Sequence, residues 1–185
     1  MTGRFHVCVF CGAKAGGSAR FAEAAARFGE RLGQRGLGLV YGGGQVGLMG
    51  VVANAALAAG APVTGVLPRA LATVELAHPG LTELVLTDGL HARKARMAGQ
   101  ADAFVALPGG FGTLDELFEA LTWQQLGLHA LPVGLLDVDG YFAPLLRFLD
   151  HAVEAGFLAP RERARLHAAS EADVLLDLLG APSPT

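Results

Sequence analysis

The run Ala103-Phe104-Val105-Ala106-Leu107-Pro108-Gly109-Gly110-Phe111-Gly112-Thr113-Leu114-Asp115-Glu116 changes character twice. It begins as an unbroken apolar segment, passes through a proline and three glycines within four positions, and continues into residues with helical spacing. A short, continuously apolar strand is one buried on both faces, as in a parallel sheet covered by helices. Reading outward, the pattern repeats. Residues 5–11 are apolar and β-favouring; Ser18 then caps an amphipathic helix running to about Gln34 and stopped at Gly36. Residues 37–41 form a strand, Gly42 to Gly44 a loop, and 47–59 a helix that is apolar almost all round and ends at Gly60. Further strands are expected over 62–67, 81–86, 103–107 and 132–136, alternating with helices near 91–100, 114–126 and 142–154. A last helix follows Ser170 as N-cap, with Glu171 and Asp173 in its first turn. The expected fold is α/β: a Rossmann-like, doubly wound parallel sheet flanked by helices, in a single domain over 1–180, with 181–185 a frayed tail.

The 185 residues and 19.0 kDa suit one domain, able to bury roughly 70% of its unfolded surface. The hydrophobic share of 52%, the mean hydropathy of +0.42 and the absence of charge between Arg35 and Arg69 raise a membrane reading. Gly42 to Gly44, Asn54, Gly60, Pro62 and Pro68 break that run, whereas a spanning helix needs about 20 predominantly apolar residues in series. The N-terminal apolar stretch is too short for a signal sequence, so a cytoplasmic location is expected. Net charge of −3 gives no basic field for a polynucleotide. Cys8 and Cys11 match a redox CxxC by letter, but their odd separation in a strand sends them to opposite faces as buried thiols. The six histidines have no metal-ligand spacing.

In such sheets ligands bind beyond the C-terminal strand ends, which is where both glycine loops lie. Gly42, Gly44 and Gly47 satisfy GxGxxG. The loop follows the second strand, however, and Arg69 stands where NAD binding wants an acid, so anion binding competes with plain close packing. The Gly109 to Thr113 loop is more specific: backbone amides can converge on an anion, and a hydroxyl stands at a helix start. No Gly-Lys-Ser/Thr follows, which excludes triphosphate chemistry of the Walker type. The Thr113-Leu114-Asp115-Glu116 spacing has two readings, a capping box or a carboxylate facing the sugar of the phosphate-bound ligand. His91-Ala92-Arg93-Lys94-Ala95-Arg96 opens a helix on the same rim and reads either as a solvated basic face or as a ligand clamp.

Taken together, these elements resemble the LONELY GUY family, the cytokinin riboside 5′-monophosphate phosphoribohydrolases, from Phe5 to about Leu179. The likeness rests on Val9-Phe10-Cys11-Gly12, Gly38 to Gly44 with Val46-Gly47-Leu48-Met49-Gly50, His78-Pro79-Gly80, Arg93-Lys94-Ala95, and Pro108 through Glu116. The resemblance implies that Arg93 and Glu116 are catalytic. It implies substrate contacts at Glu75, Lys94, Gly110, Phe111, Gly112, Thr113, Leu114, Asp115 and Thr122, while Gly43, Gly44 and Gly109 of the two glycine loops are expected to bind phosphate from their main-chain amides. Gly89-Leu90, Ala92 and Asp115 depart from common family residues beside the motifs and bear on substrate preference. The implied reaction releases a free base, such as an N6-modified adenine or adenine itself, and ribose 5-phosphate, with no cofactor. Leu48, Met49 and Met97 are candidates for the base pocket as well as for the core. The helix from Gly47 and the resemblance both imply a homodimer.

Two other classes stay open at this point. The same scaffold can carry a nucleotide or phosphorylated cofactor without chemistry. Similar sequences have also been called lysine decarboxylases, but a pyridoxal enzyme needs a Schiff-base lysine and the chain has only Lys14 and Lys94.

Overall fold

A computed structural model describes residues 3–72 and 77–183. One seven-stranded sheet runs through it, β1 (His6–Phe10), β2 (Gly38–Tyr41), β3 (Val63–Pro68), β4 (Glu83–Thr87), β5 (Ala103–Ala106), β6 (Val133–Leu136) and β7 (Leu166–Ala169). The order is β4-β3-β2-β1-β5-β6-β7, every pair parallel. The helices are α1 (Ala19–Gln34), α2 (Gly47–Ala58), α3 (Leu90–Ala98), α4 (Phe111–Gln125), α5 (Ala143–Glu154), α6 (Pro160–Arg163) and α7 (Ala172–Leu178). The expected Rossmann-like architecture is therefore the observed one. Among the described residues no helix is long and apolar enough to cross a membrane.

The central strands are buried residue after residue because helices cover both faces. Cys8 and Cys11 fall into the two different core layers, both buried and both free thiols. Burial pushes both thiols well above their ordinary pKa; the charge of Glu116 adds to this and that of Arg93 opposes it. Neither is a ready nucleophile.

Ser18 caps α1 as expected, accepting from the Arg20 amide. α2 has no charge because its own chain covers it: a Cβ at Gly29 of α1 would lie 2.4 Å from the Val52 carbonyl oxygen, so the two helices touch backbone to backbone. The apolar girth of α2 thus needs no partner subunit.

Five features differ from expectation. α4 starts at Phe111, three residues before the position expected from periodicity, with Gly110 as N-cap. β4 starts at Glu83, two residues later than expected. The cap of α7 is Glu171 and not Ser170. α6 and β7 were not foreseen: β7 is a four-residue edge strand, Leu166-His167-Ala168-Ala169, without the apolar signature of the centre. At the C-terminus the chain expected to fray from Ala181 is held two residues further. The buried Arg35 donates to the carbonyls of Ala181 and Pro182 at 3.0 and 3.1 Å and pairs with Asp177 at 2.6 Å.

Candidate active site

The chain winds outward from β1 through β2 and β3 to β4, then returns to place β5 on the other side of β1. The loops after β1 and β5 therefore diverge, and a crevice opens at this switch of direction. A cavity of about 470 Å³ fills it. The second glycine loop forms one wall. With Gly110 as N-cap, α4 begins without any side-chain cap, and Thr113 sits buried in its first turn. Thr113 cannot be an N-cap, so the capping-box reading fails and Glu116 is left one turn into the helix. The amides of the first turn have no acceptor within the helix, and its dipole favours an anion. Cβ atoms at Gly110 and Gly112 would meet nothing within 4 Å, which leaves that approach open.

Gly109 is different. A Cβ there would lie 2.0 Å from Thr113 Oγ1 and 2.9 Å from the Gly12 nitrogen, so this glycine lets the β1 and β5 loops touch. Gly109→Ala is expected to lower the melting temperature by several degrees, about 2 kcal/mol or more for an overpacked backbone contact. Differential scanning fluorimetry checks this, with Gly112→Ala as the control expected to melt at or above the parent, since Ala is the better helix former.

Arg93, on α3, reaches across the strand ends. Its Nε donates to the Val66 carbonyl of β3 at 3.1 Å, and its Nη2 lies 3.2 Å from Glu116 Oε1. Both side chains are nearly enclosed, 14% and 11% exposed, and both line the cavity. A Cβ at position 42 would stand 2.2 Å from Arg93 Nη2, so Gly42 makes the room in which the guanidinium lies. Gly42→Ala is accordingly expected to displace the guanidinium and lower kcat at least tenfold, with a loss of stability smaller than that of Arg93→Ala because the flexible end of Arg93 moves aside but keeps its charge near Glu116; steady-state kinetics on a nucleoside monophosphate and a melting curve check it.

Other expected site residues lie elsewhere in the single chain. Gly43 accepts from the His78 amide, and Gly44 accepts from the Tyr41 hydroxyl and bridges to Ala77. Both thus make main-chain contacts within the fold, and Gly42 of their loop lines the cavity. Lys94 pairs with Asp115 at 3.0 Å and Glu119 at 2.7 Å, outside the cavity. Burial alone would lower its pKa, but the two carboxylates outweigh this and raise it, so the amine is held protonated and unfit for a Schiff base. Phe111 is exposed, Leu114 packs on the core and Thr122 donates to the Phe118 carbonyl. Glu75 lies outside the described residues. Leu48 and Met49 line the cavity, whereas Met97 belongs to the core.

Sequence reasoning missed the loop from Gly12 to Gly16, Phe21 and Tyr141, all of which line the cavity. The first loop was findable, since it follows the strand at which the winding reverses. Tyr141 comes from the turn after β6 and carried no local signal.

The fold and the cavity define a Rossmann-like domain in which a carboxylate–guanidinium pair lines a cavity at the start of a helix. Comparison with known proteins gives the particular family. Probable cytokinin riboside 5′-monophosphate phosphoribohydrolase LOGL1 of Oryza sativa subsp. japonica is 49% identical over 94% of this chain and 78% of its own length. Cytokinin riboside 5′-monophosphate phosphoribohydrolase LOG2 of Arabidopsis thaliana is 46% identical over 94% of this chain and 81% of its own. A family model described as possible lysine decarboxylase matches residues 49–179. The chain belongs to the cytokinin riboside 5′-monophosphate phosphoribohydrolase family. Among solved structures, the molybdenum cofactor binding protein of Rippkaea orientalis superposes with a TM-score of 0.72 at 22% identity, over 97% of this chain and 98% of that one. The molybdenum cofactor carrier protein of Chlamydomonas reinhardtii gives 0.72 at 24%, over 96% and 97%. These two likenesses concern the fold alone.

Proposed function

We propose that this chain hydrolyses the N-glycosidic bond of an N6-modified adenosine 5′-monophosphate, with AMP itself a second candidate substrate, releasing the free base and ribose 5-phosphate. The phosphate docks on the amides of Gly110 to Thr113 at the start of α4. Glu116, one turn further along that helix, then lies at the sugar, where its charge stabilises the oxocarbenium-like transition state and orients the attacking water. Water oxygen bonds to the anomeric carbon, the C–N bond breaks, and the base leaves with the bonding pair and a proton. Arg93 fixes the carboxylate and supplies hydrogen bonds to ribose or phosphate oxygens. No cofactor enters the scheme. A cavity of about 470 Å³ lies within the range usual for ligand pockets, about 300–1,000 Å³.

The observation that carries this reading is the Arg93–Glu116 contact inside the cavity, directly behind the helix N-terminus. A carrier needs the phosphate cradle but has no use for an enclosed carboxylate there. Incubation with isopentenyladenosine monophosphate or AMP, followed by chromatography, is expected to show free base and ribose 5-phosphate in equal amounts. Tight binding with no base released would favour the carrier.

We further place the enzyme in the cytoplasm, in keeping with two free thiols, and as a homodimer. The dimer rests on the outer face of α4, where Phe111, Phe118 and the adjoining Leu126 are 94, 38 and 68% exposed at spacings of seven and eight residues. Lys94, Asp115 and Thr122 lie on the same two helices, α3 and α4, so a partner docked there would bring them nearer the partner's cavity. Light scattering on the protein and on Phe111→Ser checks it: a dimer for the parent and dissociation for the variant are expected.

A further inference from the structure

The turn between β6 and α5 is fastened to the β5 loop by one hydrogen bond. The Tyr141 hydroxyl donates to the Gly109 carbonyl at 2.6 Å. The ring is itself held edge-on by Phe21 and Phe142, with centroids 5.6 and 5.0 Å away. Its turn is anchored by Arg20, whose Nη1 donates to both Asp139 carboxylate oxygens at 3.0 Å, and by the Phe142 amide donating to Asp137 at 2.7 Å. Tyr141 lines the cavity, yet its polar atom faces main chain.

That main chain is a Gly-Gly peptide. A trans peptide is planar, with its C=O and N–H pointing in opposite directions, so whatever grips the Gly109 carbonyl also aims the Gly110 amide. Between two glycines the peptide is free to turn over: φ of Gly110, −97° here, would pass to positive values, which glycine adopts without steric cost. The overturned form would present a carbonyl oxygen to the anion in place of an N–H.

We propose that Tyr141 is a positioning residue that locks the Gly109–Gly110 peptide in the orientation that donates to a phosphomonoester. Tyr141 acts through the peptide and on phosphate alone. The inference rests on the reading that phosphate docks at the start of α4, and it predicts a pattern that a merely structural ring would not give. Tyr141→Phe keeps the ring contacts and deletes only the grip. Calorimetry is expected to show about tenfold weaker binding of ribose 5-phosphate, unchanged binding of adenosine, and a melting temperature close to the parent's. KM for a nucleoside monophosphate rises by a similar factor with kcat nearly constant. In ¹⁵N spectra, ribose 5-phosphate shifts the Gly110 amide strongly in the parent and weakly in the variant. Equal affinity of parent and variant for ribose 5-phosphate would overturn the lock while leaving the phosphate site intact, as would an equal loss for adenosine. A parent that binds no ribose 5-phosphate would overturn the site as well as the lock.

Discussion

Glu116→Gln is expected to reduce kcat for base release by about a thousandfold or more, a loss of about 4 kcal/mol of transition-state stabilisation. The amide has the size of the carboxylate and still offers an oxygen to Arg93, so the pair survives as a hydrogen bond. It cannot carry the negative charge that faces the developing positive centre, nor take a proton from water. KM should change little, because phosphate binding on the α4 amides does not pass through this side chain. The melting temperature should move by no more than about 2 °C, within the range of an ordinary conservative change. A variant that melted much earlier but kept its turnover per folded molecule would make Glu116 a structural residue. The start of α4 at Phe111 already removes the capping role that would have predicted such behaviour.

Arg93→Ala is expected to damage both activity and stability. Its guanidinium joins three elements, α3 that carries it, β3 through the Val66 carbonyl, and α4 through Glu116. Removing it leaves a carboxylate only 11% exposed without its cation, and breaking an enclosed pair in this way costs about 3 kcal/mol. Base release should fall at least a hundredfold, and the melting temperature should drop clearly. Arg93→Lys separates the two effects. An ammonium can answer the Glu116 charge but cannot fork between Val66 and Glu116, so stability should largely return while turnover stays low. Recovery of full activity in the Lys variant would show that charge alone is required.

The fold was legible because its strongest signals are local. Unbroken apolar strands such as 103–107 and 37–41, each followed by glycines and a helix, leave a covered parallel sheet as the natural solution. β7 was not legible, because an edge strand is half-exposed and an alanine-rich one lacks β-branched residues. The glycine loop and Glu116 were visible as a motif, yet two readings were open until the helix start was fixed. Arg93 was visible as a candidate, but not that Gly42 makes its space or that Glu116 is its partner, since both contacts join elements distant in sequence. Tyr141 illustrates the same limit: a single tyrosine in a turn says nothing until the sheet order sets β6 beside β5. The apolar surface of α2 pointed to a partner subunit for the wrong reason, because a long-range contact with α1 already covers it.

The most direct test is a crystal structure of Glu116→Gln soaked with a nucleoside 5′-monophosphate. Phosphate oxygens should accept from the amides at the start of α4, with the anomeric carbon within about 4 Å of the residue 116 side chain, close enough for one water between them. A nucleotide bound with its phosphate elsewhere, or with residue 116 turned away from the sugar, would contradict the account.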